Sequence, residues 1–185
     1  MFRSNAKTKT EYKPSNGLIT AFEWISASMS AVIIVSLLFA IAFRMVNVDG
    51  DSMLNTLHHG DRLLISNFAY TPDYGDIVVV RRKNDTPLIK RVIGLPGDVI
   101  TIDDDIGVVY RNGEALDEPY TKDGFTPANG MPEQVIVQQG TVFVMGDNRG
   151  ASLDSRMLGC QPIENVVGRV FYRIGPDPGI IKSGE

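Results

Sequence analysis

The sequence predicts a mainly β protein, an antiparallel β-barrel or folded-sheet domain preceded by one N-terminal transmembrane helix. Three observations predict it. Ile25 to Phe43 reads ISASMSAVIIVSLLFAIAF without a single charge. Beyond Arg44 the helical period disappears, and apolar residues fall in short β-branched runs separated by turn residues. The chain has 185 residues, which leaves room for one compact domain beside the helix.

The helix comes first. At about 1.5 Å per residue, Ile25 to Phe43 extends to roughly 28 Å, close to the hydrocarbon thickness of a bilayer. Glu23 and Arg44 close its ends, and Trp24 stands where an interfacial aromatic would. Ahead of it Arg3, Lys7, Lys9 and Lys13 outnumber Glu11 and Glu23, so the positive-inside bias places the N-terminus in the cytoplasm. The expected division is a cytoplasmic segment 1–23, an anchor 24–43 and an extracytoplasmic domain 44–185. A core helix would need a polar face, which this segment lacks. Ala40-Ile41-Ala42 fits the small-x-small end of a cleavable signal, but the apolar run exceeds a usual signal core, and a retained anchor is expected.

Strands follow in order at Leu63 to Ile65, Ile77 to Val80, Leu88 to Ile93, Val99 to Ile102, Val135 to Val137, Val142 to Val144 and Val166 to Tyr172. Asn112-Gly113 between Val108-Val109-Tyr110 and Ala115-Leu116 signals a tight hairpin. Asp117 to Glu133, rich in Gly, Pro and Asp, reads as a surface excursion. Phe68, Tyr70 and Tyr74 are assigned to core packing, with dipping into the membrane surface as the alternative. No second membrane span follows Gly175.

Composition excludes several classes. A net charge of -4 gives no basic field for nucleic acid, and Arg81-Arg82-Lys83 reads as a solvated strand end. The single cysteine, Cys160, allows neither an internal disulfide nor a thiolate cluster and is expected to be buried and inert. His58 and His59 are adjacent, so their side chains diverge, and no metal or cofactor site is expected. The sequence carries no signal for an oligomeric state.

Three segments hold polar residues that strands and turns do not explain. Asp49-Gly50-Asp51-Ser52-Met53, with Thr56-Leu57, places a serine beside a flexible glycine just after the anchor. The lipase-type elbow does not fit, because Leu54 stands where its second glycine would be. In Leu88 to Ile93, alternation puts Lys90 on a face with Leu88 and Val92. It is either an edge lysine whose ammonium snorkels into water or a desolvated amine able to accept a proton; the sequence alone leaves both open. Met145 to Arg156 (MGDNRGASLDSR) is either a solvated turn or a hydrogen-bonded wall.

Together these blocks resemble the bacterial type I signal peptidases, especially the short, single-anchor kind. The resemblance rests on Gly50-Asp51-Ser52-Met53 with Thr56-Leu57, on Lys90-Arg91-Val92-Ile93-Gly94 with Pro96-Gly97-Asp98, and on Gly146-Asp147-Asn148-Arg149 with Ser152 and Asp154-Ser155-Arg156. Gly75 to Val79 resembles a further strand of that family. It implies a membrane-bound serine endopeptidase whose substrates are the signal peptides of exported preproteins, cut after small residues. It implies Ser52 as nucleophile and Lys90 as general base, with Ser152 hydrogen-bonded to the lysine amine. Asp147, Asp154, Arg156 and Arg91 would brace the wall. The Ser52 amide would form the oxyanion hole, with Gly50 as a candidate second contributor where some relatives carry serine. No cofactor is implied; the implied partners are preproteins and the lipid bilayer, not nucleic acid. Asn55 departs from the family, which usually carries proline near this place. Two other classes share parts of the pattern. A serine-lysine protease dedicated to itself or one partner would need no anchor, and a tethered β module that only binds would need no dyad.

Overall fold

The structure is a computed structural model that describes residues 16–67, 70–83 and 85–183. Arg3, Lys7, Lys9, Lys13 and Glu11, invoked for orientation, and Phe68, assigned to the core, lie outside the described residues. The chain forms two units, Met1–Ile41 and Ala42–Glu185.

The first unit is helix α1, Asn16–Ala42. Its stretch Gly17–Ala42 is long and apolar enough to cross a membrane. Apolar side chains from Leu18 to Ile41 are exposed all round, as expected of a helix whose solvent is lipid. The helix stops one residue short of the expected anchor boundary, because Phe43 already belongs to a strand.

The second unit is built from two antiparallel sheets. The larger takes β1 (Phe43–Asn47), β2 (Arg62–Ser66), β11 (Val166–Ile174), β3 (Ile77–Arg82), β4 (Asp85–Gly94), β9 (Thr141–Met145) and β10 (Gln161–Pro162) in that order, with β12 (Gly179–Ile180) on β11. Among the described residues its path ends at β1 and β10, so it is a folded sheet and not a closed barrel. The smaller sheet runs β7 (Glu114–Ala115), β6 (Val108–Arg111), β5 (Val99–Asp103), β8 (Gln134–Ile136). The Asn112-Gly113 turn joins β6 and β7 with both residues at positive φ, 56° and 83°, as a two-residue hairpin requires.

Alternation along β3 feeds two cores. Ile77 and Val79 pack with Met53, Leu57, Leu63, Ile65 and Ile89. Val78 and Val80 pack with Val92, Val142 and Val144 on the other side. A third core, Ile93, Ile100, Val109, Met131, Val137, Phe143 and Met145, joins the two sheets. Hence β3 is buried on both faces from Ile77 to Val80, and the site beside it rests on rigid strands.

Several expectations are corrected here. Cys160 is half-buried at the margin of the inter-sheet core. Tyr74 is exposed, its ring stacked under the Arg111 guanidinium at 3.8 Å and its hydroxyl donating to Asp98. Tyr70, by contrast, packs half-buried against the Val78 and Val80 core as expected, and donates to Asp76 Oδ2 at 2.8 Å. The 117–133 segment is no free excursion: Met131 enters the inter-sheet core, and Thr126 is buried.

Candidate active site

The serine loop is held from both sides. Strands β1 and β2 bring its ends together at Asn47 and Arg62, and Val48 N–H donates to Asp61 O at 2.8 Å. Met53 and Leu57 are completely buried and pull the loop onto the sheet. Gly50 turns the chain at φ 91°, a conformation that favours glycine. Ser52, between Gly50 and Met53, is left half-buried.

Lys90 comes from the middle of β4, opposite Val78. It is 2% exposed. Its Nζ lies 2.6 Å from Ser52 Oγ and donates to Ile89 O at 2.9 Å. Burial pushes the amine down from 10.5 to about 8, against the pull of the Asp154 and Asp147 carboxylates and with help from the Arg156 charge. The amine is shut away from water, and at about 8 roughly a tenth of molecules hold it uncharged at pH 7. The snorkelling alternative is thereby excluded.

Around the pair stands a wall of matched charges. Arg91 makes two hydrogen bonds to Asp147, at 2.9 and 2.6 Å, and donates to Gly75 O. Thr56 donates to Asp147 Oδ2 at 2.5 Å. Asp154 caps helix α2 (Ser155–Leu158), accepts from Gly146 N–H and is bound twice by Arg156. Burial pushes the Asp154 carboxyl up, but the Arg156 hydrogen bonds and charge outweigh it and hold the group low. Asp147, Asp154 and Arg156 are each 3% exposed or less. Ions so buried persist because each is paired and hydrogen-bonded.

Ser152 is placed differently from expectation. Its Oγ is the one buried side-chain polar atom among the described residues with no hydrogen-bond partner, so the expected bond to Lys90 is not formed. Its nearness to Asp154 still helps hold that carboxyl low. Gly146 explains how closely these groups approach: a Cβ there would collide with the Ser52 carbonyl oxygen and the Ser152 side chain. The Gly50 N–H, the candidate second oxyanion donor, is already given to His59 Nδ1 at 3.1 Å.

Sequence reasoning missed the outer brace. Glu118 binds Arg149 in a two-pronged pair, and Tyr120 lies flat under Arg91 at 3.9 Å. Lys122 N–H donates to Asp147 O at 3.0 Å. The signal was faint: an acidic and an aromatic residue two apart in a stretch otherwise rich in turn formers.

A small cavity of about 100 Å³ opens at the pair, lined by Val46, Val48, Met53, Leu88 and Ile89 beside Ser52 and Lys90. A larger cleft of about 280 Å³, between Tyr74, Arg111 and Tyr120, contains neither Ser52 nor Lys90. Ser52 and Lys90 both line the smaller cavity. From Asp85 to Lys90 the β4 edge facing away from β3 has no strand partner among the described residues, since pairing with β9 begins at Arg91. No group of residues able to hold a metal ion occurs among the described residues.

The pattern of the family described as "Signal peptidase, peptidase S26" matches residues 21–174. "Signal peptidase I" of Bacillus licheniformis is 37% identical over 158 residues, 80% of this chain and 84% of that protein. "Signal peptidase I S" of Bacillus subtilis strain 168 is 39% identical over 165 residues, 81% and 88% of the two chains. The crystal structure of a signal peptidase I from Enterococcus faecalis V583 superposes with a TM-score of 0.46 at 30% identity, covering 54% of this chain and 97% of that one.

Proposed function

Because this chain belongs to the signal peptidase family, peptidase S26, we propose that it is a serine endopeptidase that removes signal peptides from preproteins through a Ser52–Lys90 dyad. The observation that carries this reading is the 2.6 Å contact between a half-buried hydroxyl and a buried amine pushed down to about 8.

With its amine neutral, Lys90 accepts the Ser52 proton as Oγ bonds to the scissile carbonyl carbon. The carbonyl electrons move to its oxygen, and the Ser52 N–H receives the oxyanion. Collapse breaks the C–N bond, and the Lys90 ammonium gives its proton to the leaving amine. Water then attacks the acyl ester, Lys90 taking one proton and returning it to Ser52. Asp147, Asp154, Arg156 and Arg91 keep the wall rigid while the lysine charge comes and goes.

The open β4 edge favours a substrate bound as an added strand. The 100 Å³ cavity suits a small apolar side chain such as alanine. Helix α1 anchors the enzyme in the membrane. Its N-terminus is cytoplasmic, because Arg3, Lys7, Lys9 and Lys13 precede the span, and the catalytic domain 44–185 works outside, on exported chains.

The test is cleavage of a preprotein by full-length enzyme in lipid. Ser52→Ala and Lys90→Ala are each expected to lower turnover roughly a thousandfold or more. Wild-type activity rises with pH through about 8, as the fraction of uncharged Lys90 grows. Near-normal turnover by Lys90→Ala would remove the dyad.

A further inference from the structure

The peptide unit that would stabilise the oxyanion is Asp51 C=O with Ser52 N–H. In a trans peptide these two groups point in opposite directions within one plane. Whatever fixes the carbonyl therefore aims the N–H. Asn148 does this from the wall: its Nδ2 donates to Asp51 O at 3.0 Å. Its own N–H donates to Ser52 O at 3.0 Å, so the same residue grips the peptide unit on each side of the nucleophile. Asn148 is 4% exposed, and it lies in the turn between Asp147 and the Arg149–Glu118 pair. That turn is rigid, since Arg149 also donates to Gly146 O and Thr126. Among the described residues the Ser52 N–H donates to no protein group, which leaves it available to a ligand oxygen.

We propose that Asn148 is a positioning residue that aims and polarises the Ser52 amide as an oxyanion donor. The proposal rests on the Ser52–Lys90 reading above and deepens it. A hydrogen bond to a carbonyl draws charge along the amide and makes its N–H a better donor, so Asn148 acts on strength as well as direction. Gain falls mainly in the transition state, because the oxygen carries full charge only there. Leu54 N–H also reaches Asp51 O, at 3.2 Å, and keeps that oxygen bonded when the asparagine is removed.

The experiment compares wild type, Asn148→Leu, which keeps the branched shape without the amide, and Asn148→Ala, which leaves room for water. A preprotein is the substrate and a peptide aldehyde the probe, whose adduct with Ser52 places an oxygen where the oxyanion forms. Expected is a fall in kcat of roughly ten- to a hundredfold, part of the loss seen when an oxyanion donor is deleted. KM stays close to wild type, aldehyde affinity weakens in proportion to kcat, and the acid limb near pH 8 does not move. Unchanged kcat, a loss confined to KM, or failure of both variants to fold would overturn the proposal. Ser52→Ala, run alongside, separates the two ideas: if it still cleaves, the dyad reading fails, whereas a dead Ser52→Ala beside a fully active Asn148→Leu sinks only the asparagine.

Discussion

The two faces of β4 bury neighbouring cations by opposite means. Lys90 and Arg91 are each 2% exposed, and alternation sends them to opposite sides of the strand. Arg91 finds a complete set of partners: two bonds to Asp147, a carbonyl, the Thr56 hydroxyl and the Tyr120 ring. Lys90 finds one hydroxyl and one carbonyl. Among the described residues no carboxylate is bonded to it; Asp154 and Asp147 act only through space. Equal burial therefore leaves one cation fully paired and lowers the proton affinity of the other. What decides is whether a counter-charge is in contact: the paired side of the strand is braced, and the unpaired side holds the amine proposed as the base.

Exchanging the chemistries should break that contrast most severely. Lys90→Arg keeps a long cation at the site but installs a group that cannot shed its proton. Turnover of a preprotein is expected to fall roughly a thousandfold or more, as for the alanine variant. Appreciable cleavage by Lys90→Arg would mean that the residue supplies charge, not a base. On the other face, Asp147→Asn leaves the Arg91 charge buried without its match, at a cost of about 3–5 kcal/mol in denaturant unfolding. It also removes one of the two carboxylates that pull the Lys90 amine upward. In the folded fraction the acid limb of the activity profile should then move to lower pH. An upward move would show that Asp147 acts on Lys90 by some route other than its charge.

How much of this the sequence disclosed differs between the two faces as well. The apolar helix, the hairpin at Asn112-Gly113 and the short strands were legible because period, turn chemistry and charge are local properties. Ser52, Lys90 and the 145–156 block were legible through their resemblance to a family, not through their own pattern: alternation left Lys90 equally able to snorkel. Its burial comes from Val78 across the sheet and Ser52 from a loop thirty-eight positions away. The Ser152 hydroxyl was expected on the lysine and stands unpaired instead. Glu118 and Tyr120 were hidden for a similar reason. Turn-rich composition correctly denied them regular structure, but it cannot register that two arginines of the wall wait for a carboxylate and a ring.

The smallest effect sharpens the comparison through stability. In the unfolded chain Lys90 titrates near 10.5, and in the folded protein near 8. Below pH 8 both states hold the proton, and the folded state bears the whole cost of a poorly solvated ammonium, about 3 kcal/mol. Between 8 and 10.5 the folded state releases its proton first, so stability climbs with pH. Above 10.5 both are neutral and the cost is gone. Lys90→Met, which fills the space without a charge, should therefore be more stable than wild type at pH 7, by about 2 kcal/mol once the lost hydrogen bonds are counted. The advantage should vanish as pH rises through that window. Arg91→Met, by contrast, should be less stable than wild type at every pH in the range, because it strands Asp147. Denaturant unfolding of the three proteins at pH 7 and pH 10.5 reads both curves. A Lys90→Met variant no more stable than wild type at pH 7 would mean the amine is well solvated, and the difference between the two faces of β4 would disappear.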